Sequence, residues 1–339
     1  MKEQIDFKNN GLNTFRLLAA LQVLCGHANA HLDLQRIPFV GDIIAFFSGV
    51  PIFFTLSGFL IWNSIGRSSS FGEYALKRFW RIYPELWVAV FFEIMVLLLL
   101  YRHSVNWTQL GLFTLCQATI FQFWTPNFLR DYGCGTPNGA LWTITVLIQF
   151  YLCAYFLYKL LNGKRLIIWG GCFFVSSIIG WITPFVQDAL PEILGKLYGE
   201  SVFPYLWMFI VAAFVSDRRN YFLPFLLKYW WAFAFALFAR RYMIHWDIAV
   251  GGYSYFDTIL LFFTLVGFAY VFPKLNIKTD ISYGVYIYHM TVVNALIALG
   301  YTGEKWELWL VIGTTCLLAW ISTKTVGQLS MNNKKVIIK

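Results

Sequence analysis

Long apolar segments recur along the whole chain and are separated by short loops that carry most of the charge. The candidates run roughly over 15–30, 43–65, 84–101, 108–125, 141–161, 166–186, 203–216, 222–238, 254–272, 281–299 and 307–323. An α-helix of about 20 apolar residues crosses the hydrocarbon core of a bilayer. Only 13% of the residues are charged, whereas a soluble protein carries roughly 25%. The sequence therefore predicts an all-α fold, a polytopic transmembrane helical bundle.

The positions of the lysines and arginines indicate which loops face the cytoplasm, because short cytoplasmic loops carry an excess of both. If the weak segment 108–125 does not cross, the inner loops hold seventeen of them and the outer loops seven. If it crosses, this bias largely disappears. We therefore expect about ten spans plus one re-entrant or interfacial segment, with both termini cytoplasmic. The net charge of +9 belongs mostly to these loops, so it does not indicate a nucleic-acid partner.

Two polar residues stand out in the first apolar segment. Arg16 and His27 are eleven residues apart, which on a helix is three turns plus about 20°, so both share one face about 16 Å apart. Charged and titratable groups inside a bilayer are costly and usually serve a function. A neutral histidine can accept a proton near neutral pH, as a general base must. The alternative is a snorkelling arginine and a packed histidine bonded to a backbone carbonyl.

A basic and aromatic cluster precedes the third segment. Arg78 and Arg81 are three residues apart and hence neighbours on a helix face. Two guanidinium groups with Trp80 between them suit a phosphate and a flat base. The alternative is an ordinary cytoplasmic anchor of the positive-inside kind.

Polar and aromatic residues of two later segments are candidates for lining a substrate site. In the last of them, Ser282, Tyr286 and His289 follow one helical stripe at i, i+4 and i+7. An aromatic stripe is usually packing, but a histidine inside a span is a candidate site residue. The candidates are Trp142, Gln149, Tyr151, Tyr286 and His289.

Other residues give weaker signals. Glu93 and Asp257 lie in apolar segments, where either could partner an arginine or a histidine. Ser57 and Gly58 are small residues that permit close helix contact. The histidines and acids are too isolated for a metal-site spacing, so we expect no metal. The six cysteines contain no CxxC pair and are interpreted as packing residues, with a Cys116–Cys134 disulfide left open.

Five motifs, taken together and in order, resemble the membrane-bound acyltransferase family 3 over essentially the whole length. That family acylates sugars of O-antigen, exopolysaccharide, peptidoglycan and related glycans. The motifs are the spacing of Arg16 and His27, the run from Gly49 to Ile61, Arg78 and Arg81 before Pro84, Leu141-Trp142-Thr143 with Gln149-Phe150-Tyr151, and Ser282-Tyr283-Gly284 leading to Tyr288-His289. The resemblance implies that residues 1–339 form a single transmembrane acyltransferase domain.

The resemblance also implies the substrates and the roles of the site residues. Acetyl-CoA or another acyl-CoA would enter from the cytoplasm, and the hydroxyl of a cell-surface or lipid-linked glycan would approach from the outer side of a bacterial inner membrane. Arg78 and Arg81, with Trp80, would hold the CoA end, and Arg16 would help to place the donor. His27 would deprotonate the acceptor hydroxyl or carry the acyl group covalently. Whether the chain forms a homo-oligomer is left open.

One departure from the family pattern concerns the helix after Leu141-Trp142. The family usually carries a glutamate that could orient His27, and here that position is Leu147. Glu93 or another acid could replace it. Otherwise the chain would be a catalytically disabled acyl-CoA-binding homologue. A different class, a secondary transporter with Arg16, His27 and His289 as its site, is the alternative to the enzyme, although the internal repeats common in transporters are not evident.

Overall fold

The structure is a computed structural model that describes residues 9–34, 41, 46–101, 103–244 and 246–330. The two chain ends, for which we predict a cytoplasmic position, lie outside the described residues, as does the beginning of the segment 43–65. Within the described parts the protein is almost entirely helical, which confirms the all-α membrane-type fold.

Helices follow one another along the described parts of the chain. They are α1 Leu12–His31, α2 Gly49–Ile65, α3 Phe71–Leu100, α4 Trp107–Gln117, α5 Trp142–Leu161, α6 Leu166–Trp181, α7 Thr183–Ala189, α8 Glu192–Gly199, α9 Leu206–Asp217, α10 Arg219–Tyr242, α11 Tyr255–Val271, α12 Ser282–Ala298 and α13 Lys305–Ser322. The short strands β1 Ala249–Val250 and β2 Tyr253–Ser254 pair antiparallel between α10 and α11. A single π-helical turn, Thr323–Gly327, follows α13.

Five helical stretches among the described residues are long and apolar enough to cross a membrane: Phe71–Leu100, Gly139–Leu161, Glu192–Asp217, Arg219–Tyr242 and Lys305–Ser330. The helices α6 and α7, bent by 46°, make a sixth if they form one span. Two shorter apolar helices are Gly49–Ile65 and Tyr255–Val271. The count of ten spans therefore stays a prediction. Helix α4 has 11 residues, so it is about 16 Å long, roughly half the thickness of the hydrocarbon core.

Helix α3 begins well before the apolar segment that revealed it. The side chain of Ser70 caps its first turn by accepting a hydrogen bond from the backbone N–H of Glu73 at 3.2 Å. The helix then continues through Pro84 to Leu100. Arg78 and Arg81, predicted on a helix face before the third apolar segment, lie in the same helix of 30 residues as that segment. Hydropathy detects only the apolar part of this longer helix.

The chain divides into two compact units. Unit 1 comprises the described residues of Met1–Ala19, Gly49–Arg67 and Cys153–Asp280, and unit 2 those of Ala20–Ser48, Ser68–Leu152 and Ile281–Lys339. The boundary falls within α1 and within α5. Whether the chain is one functional domain remains a prediction.

In unit 1, α2 packs directly against α9. A Cβ atom added at Gly58 would lie 2.7 Å from the backbone oxygen of Phe209 and 3.1 Å from its Cα. Only a glycine allows the two backbones this approach, which confirms the close contact predicted for this position. Asp257, at the start of α11, is 4% exposed and pairs with two arginines at the end of α10, Arg240 and Arg241.

In unit 2, the segment between α3 and α5 is fastened to α12. The side-chain oxygen of Asn294 accepts a hydrogen bond from the backbone N–H of Cys134 at 2.7 Å, and its amide nitrogen donates to the carbonyl of Pro137 at 2.8 Å. The amide of Asn138 donates to the carbonyl of Ile287 at 2.9 Å. This segment therefore lies against the turn of α12 that contains His289.

Candidate functional site

The principal feature of unit 2 is a pair of histidines from α1 and α12. His27 Nδ1 lies 2.9 Å from His289 Nε2, within hydrogen-bond distance. The two rings are stacked, with their centroids 5.1 Å apart and their planes 22° from parallel. His289 is completely buried, whereas His27 is half-buried. The pair joins residues 262 positions apart in the sequence.

Hydrogen-bond partners assign the tautomers of this pair. His289 Nδ1 lies 2.7 Å from the carbonyl oxygen of Tyr286, and a carbonyl can only accept. His289 Nδ1 therefore carries the hydrogen, and its Nε2 carries the lone pair when the ring is neutral. His27 Nδ1–H must then donate to His289 Nε2. This leaves the lone pair of neutral His27 on Nε2, to which no described residue makes a hydrogen bond.

The surroundings of His289 are held by α5. Thr143 Oγ1 donates to the Tyr286 hydroxyl at 2.7 Å, and that hydroxyl donates to the carbonyl of Ala140 at 3.2 Å. The rings of Tyr286 and His289 have their centroids 5.8 Å apart. These bonds fix the turn of α12 that carries His289, so the histidine pair rests on helices rather than on a loop. Tyr286 and His289, predicted on one stripe, do come together.

The second group of predicted residues meets around Arg78. Its guanidinium carbon lies 5.8 Å from the ring centre of Tyr74 and 5.5 Å from that of Tyr151, distances typical of cation–π contacts. The Tyr74 hydroxyl donates to the backbone carbonyl of Tyr151 at 3.0 Å. Tyr151 thus helps to hold Arg78 in place. Trp80 and Arg81 are half-buried on the same helix, α3.

The other two lining candidates lie on α5. Trp142 begins this helix and Gln149 lies in its middle, both half-buried. Tyr151 and Thr143 are eight residues apart on α5, which corresponds to about 12 Å along the axis. Tyr151 contacts Arg78, and Thr143 contacts Tyr286. The arginine group and the neighbourhood of the histidine pair are therefore about 12 Å apart along α5.

Arg16 belongs to unit 1 and has a partner that the sequence analysis did not assign. Its Nη1 atom donates to Asp280 Oδ2 at 2.5 Å, and the two side chains are 22% and 15% exposed. Charge balance is the sequence signal that points to such a partner, because an arginine near the end of a span favours an acid at the same level in the membrane. Arg16 and His27 lie on the same helix, α1, as predicted. A joint role of the two in one site stays a prediction.

Neither predicted acid is bonded to the histidine pair. Asp257 pairs with arginines of unit 1. Glu93 is 2% exposed in α3, and neither of its carboxylate oxygens has a hydrogen-bond partner among the described residues. The position usually occupied by the family glutamate, Leu147, supplies no hydrogen-bonding side chain. The side chain beside His27 Nδ1 is instead that of His289.

Other catalytic chemistries find little support in the described residues. No group of three or more histidines, cysteines or acids there could hold a metal ion. All six cysteines are free thiols, so the Cys116–Cys134 disulfide is absent. Burial raises the pKa of the Cys134 thiol, and a protonated thiol is a poor nucleophile.

A helical membrane fold with a histidine pair and a basic, aromatic group on neighbouring helices suits a membrane-embedded transferase. The sequence model of the acyltransferase family 3, described as "Acyltransferase domain", matches residues 9–324. The chain belongs to this family of membrane acyltransferases.

Individual relatives agree with this assignment. Nodulation protein 10 of Rhizobium leguminosarum bv. viciae is 30% identical over 362 residues, covering 97% of this chain and 95% of that protein. The O-acetyl transferase of Shigella phage Sf6 is 28% identical over 335 residues, covering 95% and 96%. Peptidoglycan O-acetyltransferase OatA of Listeria monocytogenes is 26% identical over 117 residues, covering 31% of this chain and 18% of that protein. No solved structure matches the chain.

Proposed function

We propose that the protein transfers an acyl group, acetyl in the first instance, from cytoplasmic acyl-CoA to a hydroxyl of a cell-surface or lipid-linked glycan in the bacterial inner membrane. The observation that carries this proposal is the hydrogen bond between His27 Nδ1 and His289 Nε2. It makes His27 Nε2 the basic atom, as in a catalytic triad, where a third group orients the histidine.

The donor site follows from the group around Arg78. CoA has phosphates at one end and a thioester at the tip of a long, thin arm. Arg78 and Arg81 suit the phosphates, and Trp80 suits the adenine ring. The two tyrosines beside Arg78 fix its direction. The arm would run along α5, on which Tyr151 and Thr143 are about 12 Å apart. The role of Arg16 in placing the donor stays a prediction.

The transfer step uses one base and no metal. His27 Nε2 accepts the proton of the acceptor hydroxyl while its oxygen forms a bond to the thioester carbonyl carbon. The resulting tetrahedral intermediate collapses by breaking the carbon–sulfur bond. The CoA thiolate leaves and takes the proton from His27, which yields the ester and free CoA. Transfer through an acyl-His27 intermediate is the other route to the same products.

The acceptor is inferred from relatives and from the segment between α3 and α5. Two relatives are named O-acetyltransferases, and one of these names specifies peptidoglycan. The segment contacts α12 close to His289 through Asn138 and Asn294. With the topology predicted from the basic loops, this segment faces outward, where glycans are exposed.

Because Leu147 stands where the family usually has a glutamate, one interpretation competes with this proposal. In it, the protein is a disabled homologue that binds acyl-CoA without transferring the acyl group. The histidine pair argues against this interpretation, because His289 already supplies the hydrogen-bond acceptor that the missing glutamate would provide. An added glutamate at position 147 is therefore unnecessary for activity.

The test is the transfer of radiolabel from acetyl-CoA to a panel of glycan acceptors by the purified full-length protein in lipid. The protein as given and Leu147→Glu are compared. Transfer by the unchanged protein supports the proposal. Transfer by Leu147→Glu alone would show that the protein is disabled. If neither protein transfers the label and neither binds acetyl-CoA, the secondary transporter would be favoured.

A further inference from the structure

Unit 1 contains a polar cavity of about 240 Å³ that is separate from the residues discussed so far. It lies where the carboxyl ends of α2, α5 and α9 meet the first residues of α10. Its lining includes two guanidinium groups, Arg67 and Arg219, together with three asparagine amides. A cavity with such a lining is suited to a charged, hydrogen-bonding ligand.

The two arginines are held by a shared neighbour. Arg67 Nε donates to the backbone carbonyl of Asn63 at 3.2 Å, and Arg219 Nη1 donates to the side-chain oxygen of Asn63 at 2.6 Å. Asn63 thus holds both guanidinium groups beside the cavity through two uncharged oxygen atoms. A ligand that binds them pays little for ordering the side chains.

The one carboxylate of the cavity lining is already satisfied. Asp217 accepts hydrogen bonds from Trp62 Nε1 and from the backbone N–H of Gly163, each at 3.3 Å, and pairs with Arg218 at 3.3 Å. The cavity lining therefore carries two arginines and one carboxylate. The excess positive charge selects an anion.

A buried hydroxyl in the same lining also needs a partner. Ser216 is 5% exposed, and its Oγ atom has no hydrogen-bond partner among the described residues. A buried polar group without a partner is costly and calls for an explanation. A ligand bound in the cavity, directly or through an ordered water, would supply that partner.

We propose that this cavity binds a phosphate group, as carried by an anionic phospholipid or by a soluble phosphate. Paired guanidinium groups match the geometry of phosphate. The amino end of α10, a helix of 24 residues whose first residues Arg219 and Asn220 line the cavity, adds a favourable dipole. Basic pockets between transmembrane helices commonly bind lipid headgroups. Lys164, in the adjoining loop, extends the basic surface.

The experiment measures the thermal unfolding midpoint of the full-length protein in phosphatidylcholine nanodiscs. One series adds phosphatidylglycerol to the nanodiscs, and a second adds inorganic phosphate to the buffer. We expect binding to raise the midpoint by roughly 2–4 °C. Arg67→Gln and Arg219→Gln should each remove at least half of this rise. Arg165→Gln, which removes the same charge from an exposed position outside the cavity lining, should retain it.

A substitution at Ser216 separates ligand binding from general stability. Ser216→Ala removes an unsatisfied buried hydroxyl, so its midpoint without ligand should be unchanged or higher, while its ligand-induced rise should be smaller. A rise with phosphatidylglycerol only identifies a lipid, and a rise with phosphate only identifies a soluble ligand. No rise in either series, or an equal loss in Arg165→Gln, would overturn the proposal. No acyl donor is present, so the result is independent of the proposed transfer reaction.

Discussion

His27 Nδ1 donates a hydrogen bond to His289 Nε2 across 2.9 Å, and the opposite nitrogen of His289 bonds to the backbone of its own helix. The second bond determines the first, because it settles which nitrogen of His289 can accept. A backbone carbonyl of α12 thereby sets the tautomer of a side chain on α1. The proposed catalytic base depends on this chain of two hydrogen bonds.

The first prediction concerns His289 as a positioning residue. His289→Ala removes the acceptor for His27 Nδ1 and should lower kcat about 10²-fold or more, with little change in the KM for acetyl-CoA. His289→Gln should recover part of the rate, because its amide oxygen can accept the same hydrogen bond. Steady-state kinetics on both variants check this. If both variants lost the same fraction of kcat and also had a raised KM for acetyl-CoA, the role of His289 would be only structural.

The second prediction concerns donor binding. Arg78→Gln and Arg81→Gln should each raise the Kd for acetyl-CoA by roughly 10-fold to 100-fold, the value of one charge-assisted hydrogen bond. The effect should shrink at high salt. Equilibrium binding in detergent measures it.

Lys77→Gln is the matched control for the arginines. Lys77→Gln removes one positive charge next to Arg78. The ammonium group of Lys77, however, is bonded to Ser68 at 3.0 Å and paired with Glu73. The Kd of Lys77→Gln for acetyl-CoA should stay near that of the unchanged protein. Equal weakening by all three substitutions would mean that the region attracts anions only in a general way.

The third prediction concerns the ion pair of Arg16 and Asp280. Arg16→Asp and Asp280→Arg should each lower the free energy of unfolding, and the double exchange should recover part of the loss, with a coupling energy of about 0.5–3 kcal/mol. Chemical denaturation of the four proteins measures this coupling. If Arg16 also contacts the donor, the exchange will restore stability without restoring the KM for acetyl-CoA. An additive double mutant would show that the pair contributes no coupling.

The fourth prediction concerns packing of α2 on α9. Gly58→Ala forces a Cβ atom against the backbone of Phe209 and should cost about 1–3 kcal/mol in the free energy of unfolding. Gly171→Ala is the control, because a Cβ atom there meets nothing within 4 Å and should be neutral or stabilise by up to about 1 kcal/mol. Similar unfolding free energies for the two variants would contradict the close contact.

Local sequence patterns predicted the helices and several contacts, whereas partners distant in sequence could not be predicted. The period of a helix placed Tyr286 and His289 on one stripe, and a small residue predicted the contact at Gly58. The contact of His27 with His289 joins residues 262 positions apart, and no periodicity carries such information. Asp280 lies 264 positions from Arg16, and only the packing within unit 1 identifies it as the partner of that arginine.

Boundaries were the other weakness of the sequence analysis. Apolar runs mark the part of a helix that lipid covers, so the amino-terminal end of α3, which is polar and capped by Ser70, was missed. Arg78 and Arg81 were predicted on a helix face before the third apolar segment, and the structure shows that both parts form one helix. The bonds that tie Asn138 and Asn294 to neighbouring backbone groups involve ordinary asparagines, which give no signal in a single sequence.

The most direct test of the account compares the initial rate of acetyl transfer in His27→Ala and His31→Ala. Both histidines lie on α1 with ring centroids 5.9 Å apart, but only His27 bonds to His289. The account predicts that His27→Ala loses transfer by about 10²-fold to 10⁴-fold while still binding acetyl-CoA, and that His31→Ala retains nearly the full rate. Transfer that survives in His27→Ala, or that falls equally in both variants, would contradict the assignment of His27 as the base.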